Sequence, residues 1–252
     1  MTITGIRVSD QRTELLAVDG EKIACTVLER PDLRDRPTAT TAVVLHGAGT
    51  ADQSVHRQLA ELLAELGCRA VTLDFSGHGA SSGRVPELSL ERRFEQARAV
   101  IEEVGSADGE LLLVGASMSG QTVADLARHY GARVAGLGLL APAVYPRNAW
   151  TLPFGAGSGF TEAIRVPQAW QDSAALDAYA AFAGRAVLVV PGEDHVIPPA
   201  VTSAIAAALA TRATFTRLLY PDATHHLGRY FRADPDACAR FAYALTGAAT
   251  PA

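Results

Sequence analysis

The stretch Leu111-Leu112-Leu113-Val114-Gly115-Ala116-Ser117-Met118-Ser119-Gly120 decides the fold. Four apolar residues run into a cluster of small ones, and a helix-like segment follows at residues 121–130. The pattern reads as a strand, a sharp turn and a helix. A serine at the tip of such a turn has its hydroxyl lifted clear of the sheet, and small neighbours let strand and helix pack closely. Ser117 is therefore the candidate nucleophile. A serine hydroxyl is weak alone, so this reading requires a histidine base and an acid to orient it.

The same rhythm extends to either side. Residues 13–18 and 22–29 alternate apolar with polar around Asp19-Gly20, which predicts an antiparallel hairpin. Strands are then expected at 42–45, 70–74, 111–114, 134–140, 186–190 and 214–220. Helices are expected at 55–66, 90–104, 121–130, 200–210 and around 235–245. The strands are continuous apolar runs, which suits strands covered by helices on both faces. The predicted class is α/β, with a mostly parallel, doubly wound sheet and an N-terminal antiparallel hairpin.

With 252 residues, 48% hydrophobic and 19% charged, the chain can bury a large core. A net charge of −5 argues against a nucleic-acid or anionic-membrane binder and for a small-molecule substrate. Residues 1–20 hold no charged start followed by an apolar core, and no unbroken apolar stretch reaches bilayer length. Cys25, Cys68 and Cys238 form no CxxC pair, which fits free thiols in a reducing compartment. The expectation is a soluble cytoplasmic protein; monomer and homodimer both stay open. The histidines show no HExxH-like spacing, so no metal site is expected.

Residues 142–185 break the rhythm. They carry Pro142, Pro146, Pro153 and a Gly-rich run at 155–159, and they are too long for an ordinary loop. Trp150, Phe154, Phe160 and Trp170 concentrate there in a chain that is only 6% aromatic. The segment is expected to be a small cap inserted into a core made of 1–141 and 186–252. Its aromatics are candidate substrate-pocket residues, with a self-contained hydrophobic core for the cap as the alternative.

Two loops offer partners for Ser117. Pro191-Gly192-Glu193-Asp194-His195 follows one predicted strand, and Pro221-Asp222-Ala223-Thr224-His225-His226 follows the next. Both leave the C-terminal edge of a parallel sheet, where ligands and catalytic groups gather. The order serine, acid, histidine is the one hydrolases of this architecture use.

Taken in order, Leu45-His46-Gly47-Ala48-Gly49, Asp74-Phe75-Ser76-Gly77-His78-Gly79-Ala80-Ser81, the Ser117 turn and the acid and histidine loops resemble the α/β-hydrolase superfamily. Within it the chain looks most like small bacterial esterases of the cinnamoyl and feruloyl esterase type and like monoacylglycerol-lipase-type hydrolases. The resemblance implies a triad of Ser117, Asp194 and His225, with Glu193 and His226 as the alternatives beside the last two. It implies an oxyanion hole from the backbone N–H groups of Ala48 and Met118. It implies no cofactor and a carboxylic ester, or alternatively a thioester, cleaved through an acyl-enzyme. Acyl transfer, cyclisation or another reaction on the same triad, and ligand binding without turnover, are the rival functions. One position departs from the family: Ser119 stands where the G-x-S-x-G pattern has its second glycine. A hydroxyl there either bonds nearby backbone or competes for His225 or the oxyanion.

Overall fold

The structure, a computed structural model, describes residues 10–249. Residues 1–9, which begin the segment scanned for a leader, and 250–252 lie outside the described residues. Strands β1 (Asp10–Val18) and β2 (Glu21–Glu29) form the antiparallel hairpin. The turn residues Asp19 and Gly20 both have positive φ, 55° and 75°, the geometry that matches the twist of the two strands.

Six further strands complete one eight-stranded sheet. They are β3 (Thr41–Leu45), β4 (Arg69–Leu73), β5 (Leu111–Ala116), β6 (Val134–Leu140), β7 (Arg185–Glu193) and β8 (Thr214–Thr224). The order is β1-β2-β4-β3-β5-β6-β7-β8, and every pairing from β4 onward along this order is parallel. The switch in strand order at β3 gives helices on both faces. α1 (Arg57–Glu65), α7 (Leu227–Ala233) and α8 (Pro235–Thr246) cover one face, burying Leu59, Leu63, Phe231, Phe241 and Leu245 against Val44, Val114 and Val187. α2 (Leu90–Val104), α3 (Ser119–Tyr130), α5 (Ala174–Ala181) and α6 (Pro199–Leu209) cover the other, burying Val100, Leu126, Tyr179 and Ile205. No described helix is long and apolar enough to cross a membrane.

Near the site, three differences from the sequence expectation exceed a small shift of ends. The helix expected from residue 55 starts at Arg57, because Gln53–His56 winds as a 3-10 turn whose start Asp52 caps through Ser54 N–H at 2.8 Å. Strands β7 and β8 run past their expected ends, through Pro191 and Pro221, to a last pair Glu193↔Thr224. Leu227–Ala233 is an additional short helix.

Within 142–185 lie α4 (Phe160–Arg165) and α5. The first half gathers Phe160, Ala149, Leu152 and Phe154 over Leu90 and Met118. The second half joins the main core: Tyr179 is fully buried and donates its O–H to the Gly120 carbonyl at 2.6 Å.

Candidate active site

The β5–α3 turn places Ser117 in a conformation that L side chains rarely adopt. Its φ is +50°, a left-handed value that costs a non-glycine residue about 1–3 kcal/mol. Three backbone hydrogen bonds hold it there. Ser117 N–H donates to Leu140 at 3.0 Å, and the Ser117 carbonyl accepts from Gly120 at 2.9 Å and Ala143 at 2.8 Å. Small neighbours make the approach possible. A Cβ on Gly115 would stand 2.5 Å from the Ser119 carbonyl oxygen, and one on Gly120 2.7 Å from the Ala143 oxygen.

The long edge strand β8 and its neighbour β7 deliver the other groups. Asp194 directly follows β7 and His225 directly follows β8, one residue beyond the Glu193↔Thr224 pair. His225 Nε2 lies 3.0 Å from Ser117 Oγ, and His225 Nδ1 lies 3.0 Å from Asp194 Oδ2. The second carboxylate oxygen of Asp194 accepts backbone N–H bonds from Val196 at 2.8 Å and Ile197 at 3.0 Å. Burial alone would raise the Asp194 pKa. The bonds from His225, Ile197 and Val196 outweigh it and hold the carboxyl below the ordinary range. Glu193, His195 and His226 are exposed, and none of them enters this chain of bonds.

The loop after β3 lies beside the serine. A Cβ on Gly47 would stand 3.2 Å from Ser117 Cβ. His46 Nε2 accepts the Phe75 N–H at 3.2 Å, so its Nδ1 carries the proton and donates to the Gly47 carbonyl at 2.7 Å. That bond pins one end of the Gly47–Ala48 peptide and turns the Ala48 N–H in the opposite direction. Burial and the charge of Arg93 keep His46 neutral, far below its ordinary pKa. Met118 is the N-cap of α3, so its N–H belongs to the helix's unused donors.

Asp74, read in sequence only as part of a motif, organises the neighbouring loops. Its carboxylate accepts from Gln53 N–H at 2.7 Å, Gln53 Nε2 at 3.0 Å and Ala80 N–H at 2.9 Å. Ser119 does not reach His225. Its hydroxyl donates to the His46 carbonyl at 2.6 Å and accepts from Arg93 Nη2 at 2.7 Å. The sequence reading did not single out Arg93, which the structure places on the buried face of α2.

A cavity of about 450 Å³ opens beside Ser117, lined among others by Ala48, Val55, His56, His225 and Leu227. None of Trp150, Phe154, Phe160 or Trp170 lines it. Phe154 and Phe160 pack with Met118 instead, their rings 4.6 Å apart. Trp150 Nε1 donates to the buried Asp125 at 3.0 Å, and Trp170 packs on the main core. Among the described residues no cluster of three or more His, Cys, Asp or Glu is arranged to hold a metal.

A mostly parallel, doubly wound sheet with a serine on its strand-to-helix turn, and acid and histidine on the two strands at one edge, defines an α/β-hydrolase. Residues 36–169, just over half of the chain, match the family of serine aminopeptidases, S33, and the chain belongs to that family. That family is part of the α/β-hydrolase superfamily. A pyrethroid hydrolase of Sphingobium wenxiniae is 28% identical over 146 residues, which cover 56% of this chain and 51% of that protein. The chain thus spans about half the length of the curated relative it matches. Among solved structures, Est1E from Butyrivibrio proteoclasticus with ferulic acid bound superposes with a TM-score of 0.70 at 18% identity, over 92% of this chain and 98% of that one. A thioesterase domain from the curacin biosynthetic pathway gives 0.69 at 16%, over 95% and 100%. An esterase from Exiguobacterium antarcticum gives 0.68 at 15%, over 92% and 99%. At these identities the structures share the fold.

Proposed function

We propose that the protein cleaves carboxylic esters through an acyl-enzyme on Ser117. The observation that carries the reading is the unbroken chain Ser117 Oγ, His225, Asp194, with both contacts at 3.0 Å. In this reading His225 Nε2 takes the Ser117 proton as Oγ attacks the ester carbonyl carbon. The carbonyl oxygen becomes an oxyanion that accepts from the Ala48 and Met118 N–H groups. As the tetrahedral adduct collapses, His225 returns the proton to the departing alkoxide. A water deprotonated by His225 then attacks the acyl-enzyme and releases the acid. Asp194 fixes the Nδ1–H tautomer and stabilises the imidazolium, which its depressed pKa equips it to do.

The cavity beside Ser117 suits an apolar acyl group of modest size, because its walls are mostly small and aliphatic. The Exiguobacterium protein is named an esterase and the Sphingobium relative a hydrolase of pyrethroids, and both names agree with a small-molecule hydrolase reading. Residues 142–165 act as a cap whose aromatics roof Met118 and thereby the oxyanion side. The three buried, unpaired cysteines fit a reducing cytoplasm.

The test is labelling with a fluorophosphonate probe mapped by peptide mass spectrometry, beside Ser117→Ala and His225→Ala. Label on Ser117 that both variants lose, followed by turnover of p-nitrophenyl esters, supports the reading. Folded protein that takes no label and turns over no oxygen ester, thioester or amide overturns it.

A further inference from the structure

Arg93 is the most anomalous side chain in the molecule. It is fully buried, and among the described residues no carboxylate pairs with it. Its guanidinium carbon sits 3.7 Å from the centre of the Phe75 ring, and Nε and Nη1 make no hydrogen bond within the protein. Nη2 alone is engaged. It donates to Ser119 Oγ at 2.7 Å and to the His46 carbonyl at 2.8 Å, and Ser119 Oγ donates to that same carbonyl at 2.6 Å. The three atoms close a triangle linking α2, the end of β3 and the first residue of α3.

A buried, unpaired cation costs several kcal/mol, so a fold retains one where the charge or the geometry serves a purpose. The triangle's position shows what it serves. His46 lies two residues before Ala48, and Ser119 directly follows Met118. The triangle therefore ties together the two backbone segments that carry the oxyanion donors, and Arg93 itself does not line the cavity.

We infer that Arg93 and Ser119 form a buried cationic clamp that sets the oxyanion hole. Arg93 is a positioning residue: it fixes the His46 carbonyl against α3, so that the Ala48 and Met118 N–H groups keep one separation through the reaction. Its uncompensated charge is held in the low-dielectric interior against these same two segments, where a charge acts most effectively on a developing oxyanion. The serine at 119, where the family pattern has glycine, supplies the hydroxyl that completes the clamp. The inference rests on the assignment of Ser117 as nucleophile with Ala48 and Met118 as donors.

The experiment compares the wild-type protein with Arg93→Met and Ser119→Ala, normalising each preparation by the fraction that labels at Ser117 with fluorophosphonate. For each, kcat and KM on p-nitrophenyl butyrate are measured. So is the affinity for phenylboronic acid, whose adduct with Ser117 carries the tetrahedral negative charge, against that for benzoate, which does not. A clamp predicts a loss in kcat of roughly 100-fold for Arg93→Met and roughly tenfold for Ser119→Ala. KM and benzoate affinity hold within about twofold, and boronate affinity falls in step with kcat. Unchanged kcat and boronate affinity in labelled enzyme, or a loss confined to melting temperature, labelled fraction or KM, overturns the clamp. If Arg93→Met does not fold, Ser119→Ala decides by the same criteria. Wild-type protein that does not label at Ser117 overturns the underlying assignment instead, which separates the two failures.

Discussion

His56 lies 4% exposed at the wall of the active-site cavity, and its Nδ1 has no hydrogen-bond partner. Burial, with a contribution from the charge of Arg232, pushes its pKa from 6.5 down to about 4. The folded state thus resists a proton that the unfolded chain accepts readily. Full stability is present above pH 6.5 and is withdrawn progressively as the pH falls toward about 4, where the folded imidazole titrates as well. Between about pH 7 and about pH 5 this single group removes about 2 kcal/mol of stability, by the linkage of its two pKa values. For a chain of this size that corresponds to a fall of about 4–8 °C in melting temperature. The assay is thermal unfolding of the wild-type protein and His56→Leu at both pH values. His46, also held neutral by burial, lowers stability in the same direction in both proteins and cancels in the comparison. The variant is expected to lose that much less on acidification. Equal falls in the two proteins would refute the reasoning, since they would show that His56 is already solvated or protonated in the folded state.

Three further outcomes are expected. Gly47→Ala brings a Cβ to 3.2 Å from Ser117 Cβ and 3.4 Å from the Ala116 oxygen, so the serine must shift by a few tenths of an ångström. Steady-state kinetics should show kcat lower by about tenfold with thermal stability nearly unchanged. Asp194→Asn keeps the size of the side chain but favours the wrong His225 tautomer, and should lower kcat on the order of 10⁴-fold; a loss under about tenfold would argue against Asp194 as the orienting group. Trp150→Phe removes the indole N–H from Asp125, a carboxyl whose pKa burial already raises, and should cost about 1–3 kcal/mol in urea denaturation with the fold retained.

Much of this was legible in the chain because local and global signals agree. The hairpin needed only Asp19-Gly20 between alternating strands, and the nucleophile turn needed only an apolar run followed by small residues. The ends of β7 and β8 were hidden by Pro191 and Pro221, which read as loop. Pro221 is tolerated because β8 is the sheet's edge, and Pro191 because it lies beyond the last β6–β7 pair, Leu140↔Val189, where β7 has no neighbour on that side. The helix at Leu227–Ala233 contains a glycine and has no side-chain N-cap, so nothing local announced it. Arg93 was concealed differently. It falls on the stripe of Leu90, Ala97, Val100, Ile101 and Val104 that faces the core, whereas its neighbour Arg92 faces the surface and pairs with Asp19. Sequence periodicity locates that stripe but carries no information about what an arginine on it would meet.

The strain at Ser117 and the buried charge at Arg93 are best understood together. A left-handed serine persists only where its surroundings over-determine it. Here the Ser117 carbonyl is held by Gly120 and Ala143, and its N–H by the end of β6. The first turn of α3 is in turn tied through Ser119 to His46 and Arg93. A slip of α3 along its axis would therefore break contacts to β3, α2 and the β6 exit at once. The two costly features thus restrain one degree of freedom, the position of the turn relative to the loop after β3. That is the coordinate on which the alignment of Oγ, the two backbone donors and His225 depends. Relaxing either feature should loosen that alignment before it unfolds the domain, so turnover should be lost at a smaller perturbation than secondary structure.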